Sequence, residues 1–258
     1  MNKTLTITFG EQAENHKGMQ IIGKNINQGF TTCELENIKN NLLNKGLEVK
    51  LYDLNEKLDK NINASDAKLL IIKNGVDFLL SQNDKVYNKG DLLNELLKLD
   101  YDKKAFMYGR VVNKHARHNL CFSDFEQTAD IQNKKGTIIN FNDLHVLNSV
   151  REILPKYFGE KTINLQGEAN FYYDIKKCGI GFHGDSERKI VIGIRLGEKI
   201  PLVYQWYFKN EKVGEPIIFN NIENGDIYLM SEKATGNDWK KKNIYTLRHA
   251  AGSKKYIS

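Results

Sequence analysis

The sequence is poor in cysteine and lacks any long apolar run. Its three cysteines, Cys33, Cys121 and Cys178, lie far apart and form no CxxC pair. This spacing argues against a disulfide framework and a thiolate zinc site, and it fits a reducing environment. The N-terminus has no apolar signal-peptide core, and no stretch approaches the roughly 20 apolar residues needed to span a bilayer. We therefore expect a soluble, cytoplasmic protein without a membrane partner.

Proline is also scarce, with three residues in 258, and no Gly/Ser-rich linker or internal repeat marks a domain boundary. Hydrophobic residues make up 40% and aromatic residues 10%, which is typical of a folded globular protein. The formal net charge of +6 is a mild excess. A basic surface of this size supports nucleic-acid binding only weakly, and an ordinary solvated surface explains it as well.

The first hundred residues alternate between short apolar runs and helical patterns, which predicts a small α/β unit over residues 1–100. The sequence does not reveal the role of this unit. Its expected elements are a strand at Leu5–Phe9, a helix near Cys33–Asn44, strands at Leu47–Tyr52 and Lys68–Lys73, and a helix near Asp91–Leu99.

Residues 101–258 show many short β runs with one helix, at Asp143–Tyr157, among them. This pattern is typical of a β-sandwich or jelly roll. The whole chain is thus expected to be α+β, with the chemistry in its C-terminal part. The expected strands are Ala105–Val112, Gly136–Phe141, Ala169–Asp174, Lys189–Leu196, Leu202–Phe208, Asp226–Met230 and Ile244–Ala250.

Three residues have the character of metal ligands. His183 and Asp185 are separated by one glycine, so in an extended backbone both side chains project to the same side. His249 lies far downstream in another predicted strand, IYTLRHAAG. Two histidines and one carboxylate on one octahedral face leave three positions open, which suits non-haem Fe(II) oxygenases. The alternative is a chance His/Asp pair and a hydrogen-bonded core histidine.

Five blocks of sequence together carry a more specific signal. In order and approximate spacing they resemble the AlkB-like 2-oxoglutarate/Fe(II) dioxygenases, over roughly residues 100 to 255. The resemblance implies a double-stranded β-helix (jelly-roll) core, Fe(II) bound by the three predicted ligands, and 2-oxoglutarate and O₂ as co-substrates. The blocks are Asn170-Phe-Tyr172, Gly-Ile-Gly-Phe-His183-Gly-Asp185, Ile192-Gly-Ile-Arg-Leu-Gly197, Asn224-Gly-Asp-Ile-Tyr-Leu-Met230 and His249.

The resemblance also implies a 2-oxoglutarate pocket. Asn170 and Tyr172 match the family's Asn-x-Tyr strand, although Tyr172 would serve equally well as a packing residue. In the family, the arginines that bind the distal carboxylate lie beyond the distal histidine. Here the segment after His249 contains no arginine and offers only Lys254, Lys255 and Tyr256 for this role. Arg195 is the first candidate, because an unpaired cation in the apolar strand IVIGIRLG needs an anion. Lys255 is the second, and an exposed edge strand is the alternative for Arg195.

The stretch from residue 105 to 124, AFMYGRVVNKHARHNLCFSD, interleaves aromatic and basic side chains. Such a combination suits stacking on a base while holding phosphate, and the stretch resembles the family's nucleotide-recognition lid. Tyr108 and Arg110 are therefore predicted to bind substrate. A hairpin with one apolar and one solvated basic face is the alternative. Trp239 could form a further wall of the substrate cleft.

These observations together predict an enzyme that oxidatively demethylates or hydroxylates nucleobases in DNA or RNA. One alternative keeps the chemistry but changes the substrate to a protein side chain, a free nucleotide or a small metabolite. Another is a protein whose N-terminal α/β unit is a binding module and whose β core has lost catalysis, against which the intact ligand set argues. The sequence specifies neither the base nor the oligomeric state.

Overall fold

The computed structural model describes residues 2–82 and 86–258 and has a mixed α+β architecture, as expected. Two sheets dominate it, one of eight strands and one of four, and two short hairpins lie beside them. Within the described ranges the helices are few.

The eight-stranded sheet is antiparallel except for its last pair, β8 and β9. Its central strand is the first of the chain: β1 lies between β12 and β10 and pairs antiparallel with both. The sheet runs in the order β4 (Val49–Asp53), β5 (Lys68–Ile72), β15 (Ile227–Met230), β12 (Val191–Gly197), β1 (Thr4–Gly10), β10 (Gln166–Tyr172), β8 (His118–Ser123) and β9 (Ile138–Asn140).

The four-stranded sheet is fully antiparallel, and it brings the strand before Asp185 beside the strand that contains His249. Its order is β11 (Gly179–His183), β16 (Thr246–Gly252), β13 (Leu202–Phe208) and β14 (Glu211–Phe219). The two hairpins are β2 (Gln12–Glu14) with β3 (Ile21–Gly23), and β6 (Lys104–Met107) with β7 (Arg110–Asn113).

Six α-helices accompany the sheets in the described ranges. The first begins with a capping box, in which Thr31 and Glu34 satisfy each other's backbone N–H groups. No described helix is both long and apolar enough to cross a membrane. The helices are α1 (Thr32–Leu43), α2 (Gly75–Leu80), α3 (Lys89–Leu97), α4 (His145–Phe158), α5 (Glu232–Thr235) and α6 (Lys254–Ile257).

The eight-stranded sheet is buried on both faces, which makes a three-layer arrangement. Because side chains alternate along a strand, Leu5, Ile7 and Phe9 of β1 face a core shared with α1 to α4. The opposite face packs against the four-stranded sheet, where Tyr228 and Trp206 belong to a second core. The threonines of β1 lie on this second face, between the two sheets.

Most of the predicted elements coincide with observed ones to within a few residues. The run Ala105–Val112 is instead a hairpin, because Tyr108 and Gly109 form a two-residue turn with φ of 53° and 78°. The strands β2, β3, β8 and β14 were not predicted. β14 contains Pro216, which a sheet tolerates at its edge, and β14 is an edge strand.

The predicted boundary near residue 100 does not separate two sheets. Strands β1, β4 and β5 of the first hundred residues hydrogen bond directly with β10, β12 and β15 of the remainder. The N-terminal residues therefore form part of the same layer that carries the candidate site.

Candidate metal and anion site

A cavity of about 570 Å³ lies between the two sheets. Strands of both sheets line it, and so does the β2–β3 hairpin. It contains the three predicted metal ligands together with several charged side chains, which makes it the candidate functional site.

The predicted ligands come from distant parts of the chain and meet in this cavity. His183 ends β11 and is directly paired in register with His249 on β16, and their ring centroids are 4.4 Å apart. Asp185 Oδ1 lies 3.6 Å from His183 Nε2 and 3.7 Å from His249 Nε2. One ligand atom from each residue falls within 4.8 Å of the others. This cluster could hold a metal ion.

The backbone after β11 sets the position of Asp185. The strand ends at His183, so Asp185 lies beyond the extended segment from which its orientation was predicted. Its N–H donates to the Thr235 carbonyl at 2.9 Å. Gly184 allows this close approach, because a Cβ there would lie 2.0 Å from the Gly236 carbonyl oxygen. The α5 segment therefore holds the carboxylate beside the two rings.

Both imidazoles are prepared to act as neutral ligands. Burial lowers the pKa of His183 and lowers that of His249 well below its usual range. His183 Nδ1 lies 2.8 Å from the Gly181 carbonyl oxygen, to which it can only donate, so the lone pair of Nε2 faces Asp185. Such a backbone hydrogen bond commonly fixes the tautomer of a metal-binding histidine.

A buried guanidinium holds the carboxylates around the cluster. Arg188 is 4% exposed and donates to Glu168 and, at 2.7 Å, to Glu187. Its Nε lies 3.7 Å from Asp185 Oδ2, on the side of the carboxylate away from the histidines. This arrangement limits the rotation of Asp185.

Arg195 is the main unsatisfied charge in the cavity. It projects from β12, is 1% exposed and lines the cavity, yet its Nε and Nη1 have no hydrogen-bond partner among the described residues. Burial lowers the pKa of this guanidinium. Because an unpaired buried cation is costly, the geometry is that of a site for an anionic ligand. The alternative of an exposed edge strand does not apply, since β12 lies inside the sheet.

No family model matches the sequence. A search of curated proteins finds the "Uncharacterized protein R156" of Acanthamoeba polyphaga mimivirus, 47% identical over 259 residues that cover all of this chain and 98% of the viral one. The chain belongs to the family of this mimivirus protein. The membership brings no activity with it, so the function rests on the site itself.

The cavity also contains Asn170 and Tyr172, the two residues predicted to line the 2-oxoglutarate pocket. Asn170 Oδ1 accepts hydrogen bonds from Arg117 Nε at 2.5 Å and Asn119 Nδ2 at 2.8 Å. Tyr172 is 4% exposed and also belongs to the core between the sheets. Both of its predicted roles, pocket lining and packing, are therefore met by one position.

Three other predicted residues lie outside the cavity lining. Lys255 is exposed on α6, so Arg195 rather than Lys255 provides the buried cation. Tyr108 and Arg110 flank the turn of the β6–β7 hairpin, and Tyr108 is 90% exposed. From the predicted lid, Arg117 is the side chain that reaches the cavity.

The cavity is also lined by residues that the sequence did not indicate. The β2–β3 hairpin contributes Glu14, His16 and Lys17, and Lys17 Nζ lies 5.0 Å from the ring centre of Trp239, which lines the cavity as well. Burial raises the pKa of Glu14 to about 7 and lowers that of His16 to about 4. The only sequence signal was the presence of titratable residues in a short turn, which is common in exposed loops.

Proposed function

We propose that this protein is an AlkB-like, Fe(II)- and 2-oxoglutarate-dependent dioxygenase. The observation that carries the proposal is the presence, in one cavity, of the His183–Asp185–His249 cluster and the unpaired guanidinium of Arg195. The first is a ligand set that suits iron with open positions. The second suits the far carboxylate of a dicarboxylic co-substrate.

The path of the chain between the sheets supports a jelly-roll core for this enzyme. Strands β10, β12 and β15 lie in the large sheet, and β11, β13, β14 and β16 lie in the small sheet, so the chain passes repeatedly from one to the other. Jelly rolls wind eight strands through two sheets in this way. Strand β1, between β10 and β12, would complete four strands on each side.

The residues present fit the proposed iron and co-substrate. Two neutral imidazoles and one carboxylate would occupy three coordination positions of the iron. The bound metal would supply O₂ activation, in which 2-oxoglutarate is consumed. Arg195 would bind the distal carboxylate through two charge-assisted hydrogen bonds. Asn170 and Tyr172 would line the pocket beside it, while Arg188 keeps Asp185 in position.

We further propose that the substrate is a nucleobase in DNA or RNA. Trp239 lines the cavity, where its ring would stack on an extruded base. The β6–β7 hairpin presents Tyr108 and Arg110 to solvent, where they could contact the nucleic-acid backbone and bases outside the cavity. Tyr108 has a positive φ, which is uncommon for a residue other than glycine, and its aromatic side chain is exposed at this turn.

One observation favours a second candidate substrate. The cavity volume of about 570 Å³ is within the range of small-molecule sites. A free nucleotide or another small metabolite would fit this volume without needing an extended surface.

The test is mass spectrometry of methylated DNA and RNA, nucleotides and protein digests after incubation with Fe(II), ascorbate and 2-oxoglutarate. We expect loss of a methyl group or gain of one oxygen, together with succinate. Asp185→Ala should abolish both products, and the exposed Asp130→Ala should not. Product formation that persists in Asp185→Ala would refute the proposed site.

A further inference from the structure

Strand β1 presents a polar face to the cavity. Its sequence alternates threonine with apolar residues, and Leu5, Ile7 and Phe9 face the helices. Thr4 Oγ1 donates to the Glu198 carbonyl at 2.5 Å. Thr6, by contrast, lines the cavity, is 6% exposed, and its hydroxyl makes no hydrogen bond within the described part of the chain.

The strand register places Thr6 beside the unpaired arginine. Thr6 is paired with Arg195 on β12 and with Asn170 on β10. Directly paired residues in antiparallel strands project to the same face, with Cβ atoms about 4.5–5.5 Å apart. Asn170, Thr6 and Arg195 therefore form one row across the floor of the cavity.

Within this row, Thr6 is the neighbour of Arg195 whose side chain has a hydroxyl available to donate a hydrogen bond. The Asn170 amide is already engaged: its Nδ2 donates to Glu168 at 2.9 Å, and its Oδ1 accepts from Arg117 and Asn119. A buried guanidinium without a hydrogen-bond partner is costly, and the Thr6 hydroxyl lies beside it on the cavity wall. One anion placed between the two would satisfy both groups.

We infer that Thr6 is a co-substrate-binding residue, whose hydroxyl donates to the same carboxylate that Arg195 binds. This inference rests on the proposed function. A carboxylate offers about four lone-pair sites, so a two-pronged arginine contact leaves room for a hydroxyl donor. Strand β1, almost at the start of the chain, is thereby part of the co-substrate pocket, and Thr6 helps to select dicarboxylic oxo acids over monocarboxylic ones.

The test measures binding of 2-oxoglutarate and of pyruvate, which lacks the second carboxylate, to the anaerobic Mn(II)-loaded protein by titration calorimetry. Thr6→Val should weaken 2-oxoglutarate binding about tenfold, the loss expected for one charge-assisted hydrogen bond. Thr6→Ser should retain binding to within about threefold on the same scale. Pyruvate affinity and Mn(II) affinity should be the same in the wild type and in Thr6→Val.

The matched control is Thr128→Val, at an exposed position outside the cavity, which should bind both acids like the wild type. Thr6→Ala provides the same comparison should Thr6→Val fail to fold. Thr6→Val binding 2-oxoglutarate as tightly as the wild type would overturn the inference and leave the proposed function standing. A wild-type protein that binds Mn(II) but not 2-oxoglutarate would overturn the proposed function itself, and the inference with it.

Discussion

His183 and His249 are cross-strand partners on β11 and β16, and Asp185 Oδ1 lies within 3.7 Å of Nε2 of each ring. The register of this one strand pair therefore creates the metal cluster. A shift by one residue would turn one imidazole to the opposite face of the sheet. The site is consequently supported by the hydrogen bonds of the four-stranded sheet rather than by a flexible loop alone.

Substitution of His249 by alanine should remove metal binding. Two ligands would remain of three, and the cavity would lose a neutral imidazole from its buried side. Titration with Co(II), followed by its visible absorption, should show binding in the wild type and not in His249→Ala. The exposed His145→Ala is the matched control and should bind like the wild type. Equal Co(II) affinity in His249→Ala would remove this residue from the ligand set.

Replacement of Arg195 by methionine should raise the stability of the protein and remove its binding of 2-oxoglutarate. Without a ligand, the wild type buries a guanidinium whose Nε and Nη1 have no partner within residues 2–82 and 86–258. Removing unsatisfied buried donors should therefore raise the free energy of unfolding by roughly 1–3 kcal/mol. Urea denaturation should show this gain, and added 2-oxoglutarate should stabilise the wild type but not Arg195→Met. A variant that is less stable and still responds to 2-oxoglutarate would contradict the assignment.

Glu14 should make stability depend on pH. Its pKa in the folded protein is about 7, above the usual value of 4.5 for a glutamate, because burial disfavours the charged form. The stabilisation from its protonated form is complete below pH about 4.5 and is lost as the pH rises through about 7. Relative to Glu14→Gln, which does not titrate, the wild type should thus lose unfolding free energy across this interval. Parallel stability curves for the two proteins would show that Glu14 is not perturbed.

Arg110 should contribute to nucleic-acid affinity through phosphate contact. Arg110→Ala should weaken binding of single-stranded DNA and lower the slope of log affinity against log salt by about 1. The exposed Lys98→Ala on the C-terminal side of α3 is the control and should leave the slope unchanged. An unchanged slope in Arg110→Ala would place the β6–β7 hairpin outside the nucleic-acid interface. Fluorescence anisotropy at several salt concentrations measures all three proteins.

The local features of this protein were readable from the sequence. Alternating apolar residues predicted β1, β12 and β13, and the isolated cation in an apolar strand predicted that Arg195 needs a partner. The pair His183 and Asp185 with the distant His249 predicted the cluster that the fold assembles. These signals depend on side-chain periodicity and on the cost of burying charge, both of which are local properties.

The long-range arrangement was not readable. Nothing in the segment from residue 4 to 10 indicates that it pairs with residues 166–172 on one side and 191–197 on the other. For that reason Thr6 could not be recognised as a cavity residue. The β2–β3 hairpin showed no distinctive sequence pattern either. The aromatic and basic residues of the predicted lid indicated Tyr108 and Arg110, which lie outside the cavity lining.

The most direct test of the central claim is visible spectroscopy of the anaerobic protein with Fe(II) before and after addition of 2-oxoglutarate. The account predicts a weak charge-transfer band that requires both Fe(II) and 2-oxoglutarate and is absent in Asp185→Ala. A wild-type protein that binds Fe(II) but develops no such band at saturating 2-oxoglutarate would contradict the proposal that this cavity is a dioxygenase site.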